Sequence, residues 1–161
     1  MSKRKTKLTR SNKTIIWKRE LAGVPRIDIS DEINVTTTLI KLFLEGKYKK
    51  EADNLWSEQI KKVGYCEVCG SRTRQLNAHH IINRTRGRFR HDLSNGVCLC
   101  VTCHTFGSDC CPHGGLDAVL RFNEWLKANR PGQYDWFMEN KDDKRLPDIS
   151  YEQAYYMLKE D

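Results

Sequence analysis

No stretch of the sequence approaches the roughly twenty consecutive apolar residues needed to cross a bilayer, so a membrane-embedded protein is not expected. The basic start, Met1-Ser2-Lys3-Arg4-Lys5, lacks the apolar segment that would make it a secretory signal. An intracellular location, cytosol or nucleoid, is therefore expected. No internal repeat and no low-complexity tract is present, which excludes solenoids and disordered polar arrays. Acidic residues are missing from two regions. Between Met1 and Arg26 Glu20 is the lone acid against nine Lys and Arg, and between Gly70 and His91 six arginines meet no acid at all. From Pro131 to Asp161 the balance reverses, with four basic and eight acidic residues. With a net charge of +7, a polyanion should meet the first two regions and avoid the third.

What is present supports a small folded protein. The 161 residues suit one domain with helical decoration. Hydrophobic residues make up 39% and charged residues 30%, with a mean hydropathy of −0.69, so the chain should be soluble. Seven cysteines is an odd number. In a reducing compartment that suggests four metal ligands and three other thiols rather than a disulfide framework.

Residues 1–26 read as a basic lead, mobile from Lys3 to Lys13, with Ile15, Ile16 and Trp17 able to dock. A helix should start at Ser30-Asp31-Glu32, keep Leu39, Ile40, Phe43 and Leu44 on one face, and end at Gly46. A second helix should run from Tyr48 through Ala52, Leu55, Trp56, Gln59, Ile60 and Val63 to Gly64, giving a helical hairpin over 27–64. Leu76 to Ile82 and Val97 to Leu99 read as strands, and Val101 to Phe106 as a short helix. After Gly114-Gly115, helices are expected from Leu116 towards Pro131, over Tyr134 to Glu139, and from the Ser150/Gln153 capping box through Leu158. The segments are thus an N-terminal arm (1–26), the hairpin (27–64), a cysteine-framed core (65–113) and C-terminal helices (114–161), in one compact domain.

Cys66-Glu67-Val68-Cys69 and Cys100-Val101-Thr102-Cys103 are two CxxC pairs. Each spacing lets two thiolates reach one tetrahedral ion from a tight knuckle, and two knuckles complete a structural zinc site with no open position for water. Redox chemistry at a lone CxxC, or unrelated thiols, does not account for two matched pairs. Of the other thiols, Cys98 alternates with Cys100 and should face the core. Cys110-Cys111 with His113 is either a second metal site or, as the simpler reading, a loop with spare thiols.

Between the knuckles stand His79 and His80, adjacent on a strand and so pointing to opposite faces. Asn95 precedes the second strand, and His104 follows Cys103 directly. A zinc that anchors the short helix beside the strand gives His104 a short route to one of the paired histidines. Taken singly, each has a plainer reading: a packed histidine, an alternative zinc ligand, a turn asparagine.

The set Cys66, Cys69, His79, His80, Asn95, Cys100, Cys103 and His104 resembles the HNH nuclease family in its zinc-bearing CxxC…HH…N…CxxCH form, over residues 65–106. The resemblance implies an α+β fold: a ββα-metal core with structural zinc, flanked by N- and C-terminal helices. It implies that His79 and His104 ligate a catalytic divalent ion and that His80 is the general base, its imidazole suited to neutral pH. Asn95 would hold the loop that orients His80. Cleavage of double-stranded DNA to 5′-phosphate and 3′-hydroxyl ends follows from the family, with free-standing phage or homing-type members as the model. Two positions depart from the pattern. Many relatives carry another His a few residues beyond the CxxCH, where this chain has none before His113, so His113 or water is left to complete the ligand set. Many have Asp in place of His79. Imidazoles without that carboxylate admit Mn²⁺, Ni²⁺ or Zn²⁺ as well as Mg²⁺.

Asn83 to His91 places Arg84, Arg86, Arg88 and Arg90 at alternate positions, which in an extended chain would form one edge of guanidiniums suited to phosphate. With no acid in the run, a DNA clamp is favoured over a merely solvated loop. Lys3, Arg4, Lys5 and Lys7 are a second set of expected phosphate contacts, which supply affinity but not sequence choice. No recognition helix or zinc-finger array stands out, so cleavage is expected to be weakly selective, or its selectivity to reside in the flanking helices. The alternatives are a non-catalytic zinc-knuckle DNA binder, which needs no imidazole base at position 80, and an adaptor whose acidic C-terminal helices dock a protein partner.

Overall fold

The computed structural model describes residues 4–105, 107, 109–143 and 149–160. Lys3 and Phe106, named above, lie outside them. By the clustering of its contacts the chain forms two compact units, Met1–Glu51 and Ala52–Asp161, a division that cuts across the segment 27–64.

The first unit is helical. Helix α1 (Arg10–Leu21) opens at a capping box in which Thr9 Oγ1 accepts from Asn12 N–H while the Asn12 side chain accepts from Thr9 N–H. The basic lead is thus ordered into a helix from Arg10 onward, with Ile16 fully buried, instead of remaining a mobile arm to Lys13. Lys5 forms an isolated parallel bridge with Val35, and Arg4 bonds Ser30 and Asp31 on helix α2 (Arg26–Ile33). Asn34 closes α2 in the left-handed region, at φ 52°.

Helix α3 (Thr37–Lys61) runs on into the second unit. It corrects the expected hairpin: Gly46 ends no helix. A C-terminal glycine acts by adopting positive φ, and Gly46 does not. Ile40, Leu44, Tyr48, Ala52 and Trp56 instead form an unbroken buried stripe at four-residue spacing. Burial of that stripe far outweighs the ~1 kcal/mol that one exposed interior glycine costs. The positive φ comes later, at Gly64, three residues past the helix's last residue, Lys61.

The second unit is built on one antiparallel hairpin. Strand β1 (Leu76–His80) pairs with β2 (Gly96–Cys100) in the register Leu76↔Cys100 to His80↔Gly96. All five residues of β2 are buried. Val97, Leu99, Cys66, Cys100 and Cys103 share a core with Phe122 and Leu126. The other edge of β2 is sealed by the first knuckle: Glu67 N–H donates to Cys98 O (2.9 Å), and Cys98 N–H donates to the Glu67 carboxylate (2.6 Å), which also pairs with Arg130. Gly96 is required for close approach, since a Cβ there would lie 2.0 Å from Ile60 Cδ1. Helix α4 (Val101–His104) follows β2 directly. Helices α5 (Leu116–Asn129), α6 (Pro131–Asn140) and α7 (Tyr151–Glu160) complete the unit, α7 starting at the expected Ser150/Gln153 capping box. The result is the mixed fold expected, a small two-stranded sheet among helices. Among the described residues no helix is long and apolar enough to cross a membrane.

Candidate active site

The four knuckle cysteines converge. Cys66, Cys69, Cys100 and Cys103 bring their Sγ atoms within 4.8 Å of one another, and Cys69 Sγ lies 3.8 Å from Cys100 Sγ. A tetrahedron with Zn–S bonds of about 2.3 Å has edges of about 3.8 Å, so the thiols fit a zinc ion. Burial pushes the Cys100 thiol up, but donation from the Cys103 N–H and the neighbouring thiols outweighs it and brings the pKa to about 6. A thiolate is favoured, as a metal ligand requires.

A second cluster lies on one side of the hairpin. His79 from β1, His104 from the end of α4 and His113 from the following loop place one ring nitrogen each within 4.8 Å of the others. Their ring centroids stand 5.2 Å (79–104), 5.0 Å (79–113) and 4.8 Å (104–113) apart. The zinc knuckle starts α4 and so aims His104 at the strand. The loop bearing His113 is tied to the same helix, because the buried Cys111 thiol donates to the His104 carbonyl at 3.2 Å. Cys110 and Cys111 thus form no second metal cluster among the described residues, and their neighbour His113 joins the histidine set.

Burial, with the neighbouring His104 and His113, drives the His79 pKa from 6.5 down to about 3, and burial also lowers that of His104. Imidazoles kept neutral retain the lone pairs that bind a cation. Among the described residues no carboxylate joins the cluster, which makes it a nitrogen set.

His80, the next residue of β1, lines the same cavity but is oriented separately from the other three. Its ring stacks on Trp56 of α3, with centroids 3.8 Å apart and planes 12° from parallel. Its Nε2 lies 2.8 Å from the Arg90 carbonyl oxygen. A carbonyl only accepts, so Nε2 carries the proton and Nδ1 keeps a lone pair. Burial lowers the His80 pKa despite the opposing pull of that carbonyl.

Asn95, fully buried, staples the intervening loop. Its Oδ1 accepts from Ile82 N–H at 2.6 Å, and its Nδ2 donates to Ile82 O at 2.9 Å and Phe89 O at 2.8 Å. Phe89 immediately precedes Arg90, so the staple ends beside the carbonyl that holds His80.

The arginine loop differs from the extended edge expected of it. Residues Gly87–Phe89 form a 3₁₀ turn, with Phe89 buried. Two acids distant in sequence do engage the run. Arg90 makes a bidentate pair with Asp53, at 2.7 Å to each oxygen, and Arg88 reaches Asp143 at 3.3 Å. Arg86 donates to the Asp143 carbonyl at 2.7 Å. Arg84 alone of the four lines the cavity of about 350 Å³ that the four histidines 79, 80, 104 and 113 share with Asn83. It is exposed, with no acidic partner among the described residues.

Two further residues of α3, Asp53 and Trp56, matter to the site although their spacing in the sequence marks them only as part of a helix. Asp53 holds both Arg90 and His91, the latter at 2.8 Å, and those two donors keep its carboxyl well below the usual range against the upward push of burial. Trp56 backs His80 and donates from Nε1 to Asp92 O at 2.9 Å. Asp53 and Trp56 are three apart on α3, hence on one face. That spacing was the available signal, but it is also the spacing of an ordinary core stripe.

A hairpin and short helix stapled by four thiols, with histidines gathered beside the helix, define the ββα-metal class of site. Residues 66–107, about a quarter of the chain, match the family model described as HNH endonuclease. HNH domains are generally nucleases that act on DNA with a divalent metal, so nuclease or DNA-binding function in general is indicated. No curated protein and no solved structure matches the chain.

Proposed function

We propose that the protein is a metal-dependent HNH endonuclease that hydrolyses phosphodiester bonds of double-stranded DNA, leaving 5′-phosphate and 3′-hydroxyl ends. The observation that carries this reading is a cluster of three imidazoles sharing one cavity with a fourth, separately oriented imidazole. A zinc-knuckle protein that only binds DNA has no use for that arrangement.

His79, His104 and His113 would hold the catalytic ion, with Mn²⁺, Ni²⁺, Zn²⁺ and Mg²⁺ as candidates. The ion when bound supplies Lewis-acid stabilisation of charge on the scissile phosphate and on the leaving 3′ oxygen. His80 is the general base. Its Nε2–H is committed to the Arg90 carbonyl, so Nδ1 is the nitrogen that takes a proton from the attacking water. Its lowered pKa keeps that nitrogen free at neutral pH. Trp56 and the Arg90 carbonyl hold the ring in one orientation, and Asn95 and Asp53 hold the backbone and side chain of the segment that offers the carbonyl. Arg84 is placed to bind the phosphate at the cavity wall. Cys66, Cys69, Cys100 and Cys103 would hold a structural zinc outside the chemistry. Exposed Lys5 and Lys7 remain available for phosphate contacts, whereas Arg4 is engaged with Asp31.

The test is cleavage of supercoiled plasmid with each divalent ion in turn, followed by mapping of the cut ends. Nicking or linearisation that depends on added metal, is abolished in His80→Ala, and leaves 5′-phosphates is expected. Unchanged cleavage by His80→Ala would refute the mechanism.

A further inference from the structure

The unit Met1–Glu51 contains an arrangement that the cleavage chemistry does not use. Helix α2 is eight residues long, the connection covers residues 34–36, and α3 begins at Thr37. The turn is made by Asn34 in the left-handed conformation, the position where such a turn needs positive φ. Ile29 and Ile33 of α2, Val35 of the turn, and Ile40 and Leu44 of α3 are all buried. Ser30, small and fully buried, fixes the turn by donating from Oγ to Val35 O at 2.6 Å. Two helices joined by a three-residue turn, with α1 before them as a third helix, have the element order of a helix-turn-helix.

In that arrangement the N-terminal part of the second helix meets base edges in the major groove. Here Thr37, Thr38, Lys41, Leu42 and Glu45 form one solvent-facing strip along the start of α3, with Leu42 62% exposed. An exposed leucine and two threonines offer methyl groups suited to thymine, and lysine and glutamate offer base-edge partners.

Charge identifies the occupant. Residues 1–51 carry thirteen Lys and Arg against six Asp and Glu, whereas residues 52–161 carry fifteen of each. The whole +7 therefore belongs to this unit. Four of its six acids, Glu20, Asp31, Glu32 and Glu51, are taken up in ion pairs with Arg26, Arg4, Arg19 and Lys47 of the same unit. We propose that this unit is a sequence-reading module and that the Thr37–Glu45 strip enters the major groove of duplex DNA.

The experiment uses the full chain carrying His80→Ala, so that DNA binding is read whether or not the nuclease reading holds. A pool of duplex DNA with a randomised core is selected for binding. A defined base pattern is expected. The triple variant Thr37→Ala/Thr38→Ala/Leu42→Ala should lose about tenfold or more of that preference, while its affinity for random duplex falls by less than about threefold, because phosphate contacts remain. These side chains face solvent, so circular dichroism and melting should be unchanged. Leu42→Gln on its own should change the preferred base at one position, because glutamine pairs with adenine N6 and N7. The proposal is overturned if the parent enriches no pattern, if the triple variant enriches the same pattern, or if single strands are bound in preference to duplex.

Discussion

Replacing Asn95 with alanine removes the staple of the loop between the two strands. Three buried groups then lose their partner: Ile82 N–H, Ile82 C=O and Phe89 C=O. An unpaired buried polar group costs about 1–3 kcal/mol, and the lost side-chain volume leaves a small cavity. If water reaches one of the three, the net loss is about 4 kcal/mol. A unit of this size has ~5–15 kcal/mol of stability. At ~2 cal/mol/K of unfolding entropy per residue, the melting temperature should fall by roughly 15 °C. Thermal unfolding by circular dichroism reads the stability, and plasmid cleavage well below the melting point reads the site. Because Asn95 bonds Phe89 O next to the Arg90 carbonyl, cleavage should fall further than the unfolded fraction explains. A melting shift under about 4 °C, equivalent to about 1 kcal/mol, would refute the reasoning that Asn95 is the buried staple.

Asp53→Asn should release Arg90 and lower the cleavage rate by roughly tenfold to a hundredfold with DNA affinity unchanged, and Trp56→Phe, which keeps a ring against His80, should be milder than Trp56→Ala; a parallel loss of binding would contradict both. Cys66→Ala should lower bound zinc from one ion per chain and cost much of the second unit's stability, as read by elemental analysis and thermal melting, whereas full retention of zinc would contradict the four-thiol site. Without added divalent ion, stability should fall as pH drops below 6.5. The unfolded chain then binds a proton at His79 that the folded chain refuses until about pH 3, a slope of up to ~1.4 kcal/mol per pH unit. Urea titrations at pH 7 and pH 5 giving equal stability would contradict this.

The zinc knuckles, both strands and the His79–His104 approach were legible because they depend on short-range spacing. CxxC geometry, strand alternation and the direct succession of Cys103 by His104 leave few arrangements. The arginine run was legible in composition but not in shape. Its counterions, Asp53 and Asp143, lie 37 and 55 residues from Arg90 and Arg88, and no local pattern reports a partner so distant. Gly46 misled for a different reason. Its stop signal is conformational, and the buried stripe from Ile40 to Trp56 overrides it. The support of His80 by Trp56 was hidden because a tryptophan at helical spacing reads as core, which it also is. The α2–α3 turn was missed because placing the first helix start at Ser30 merged α2 into the helix that follows Asn34.

The central claim, that three imidazoles share one catalytic ion, is tested most directly by anomalous scattering from crystals soaked with Mn²⁺. The account predicts one manganese peak with a nitrogen of His79, His104 and His113 each at roughly 2.0–2.3 Å, and His80 unligated. A peak that lacks His113 or His104, or that is ligated by His80, would contradict it.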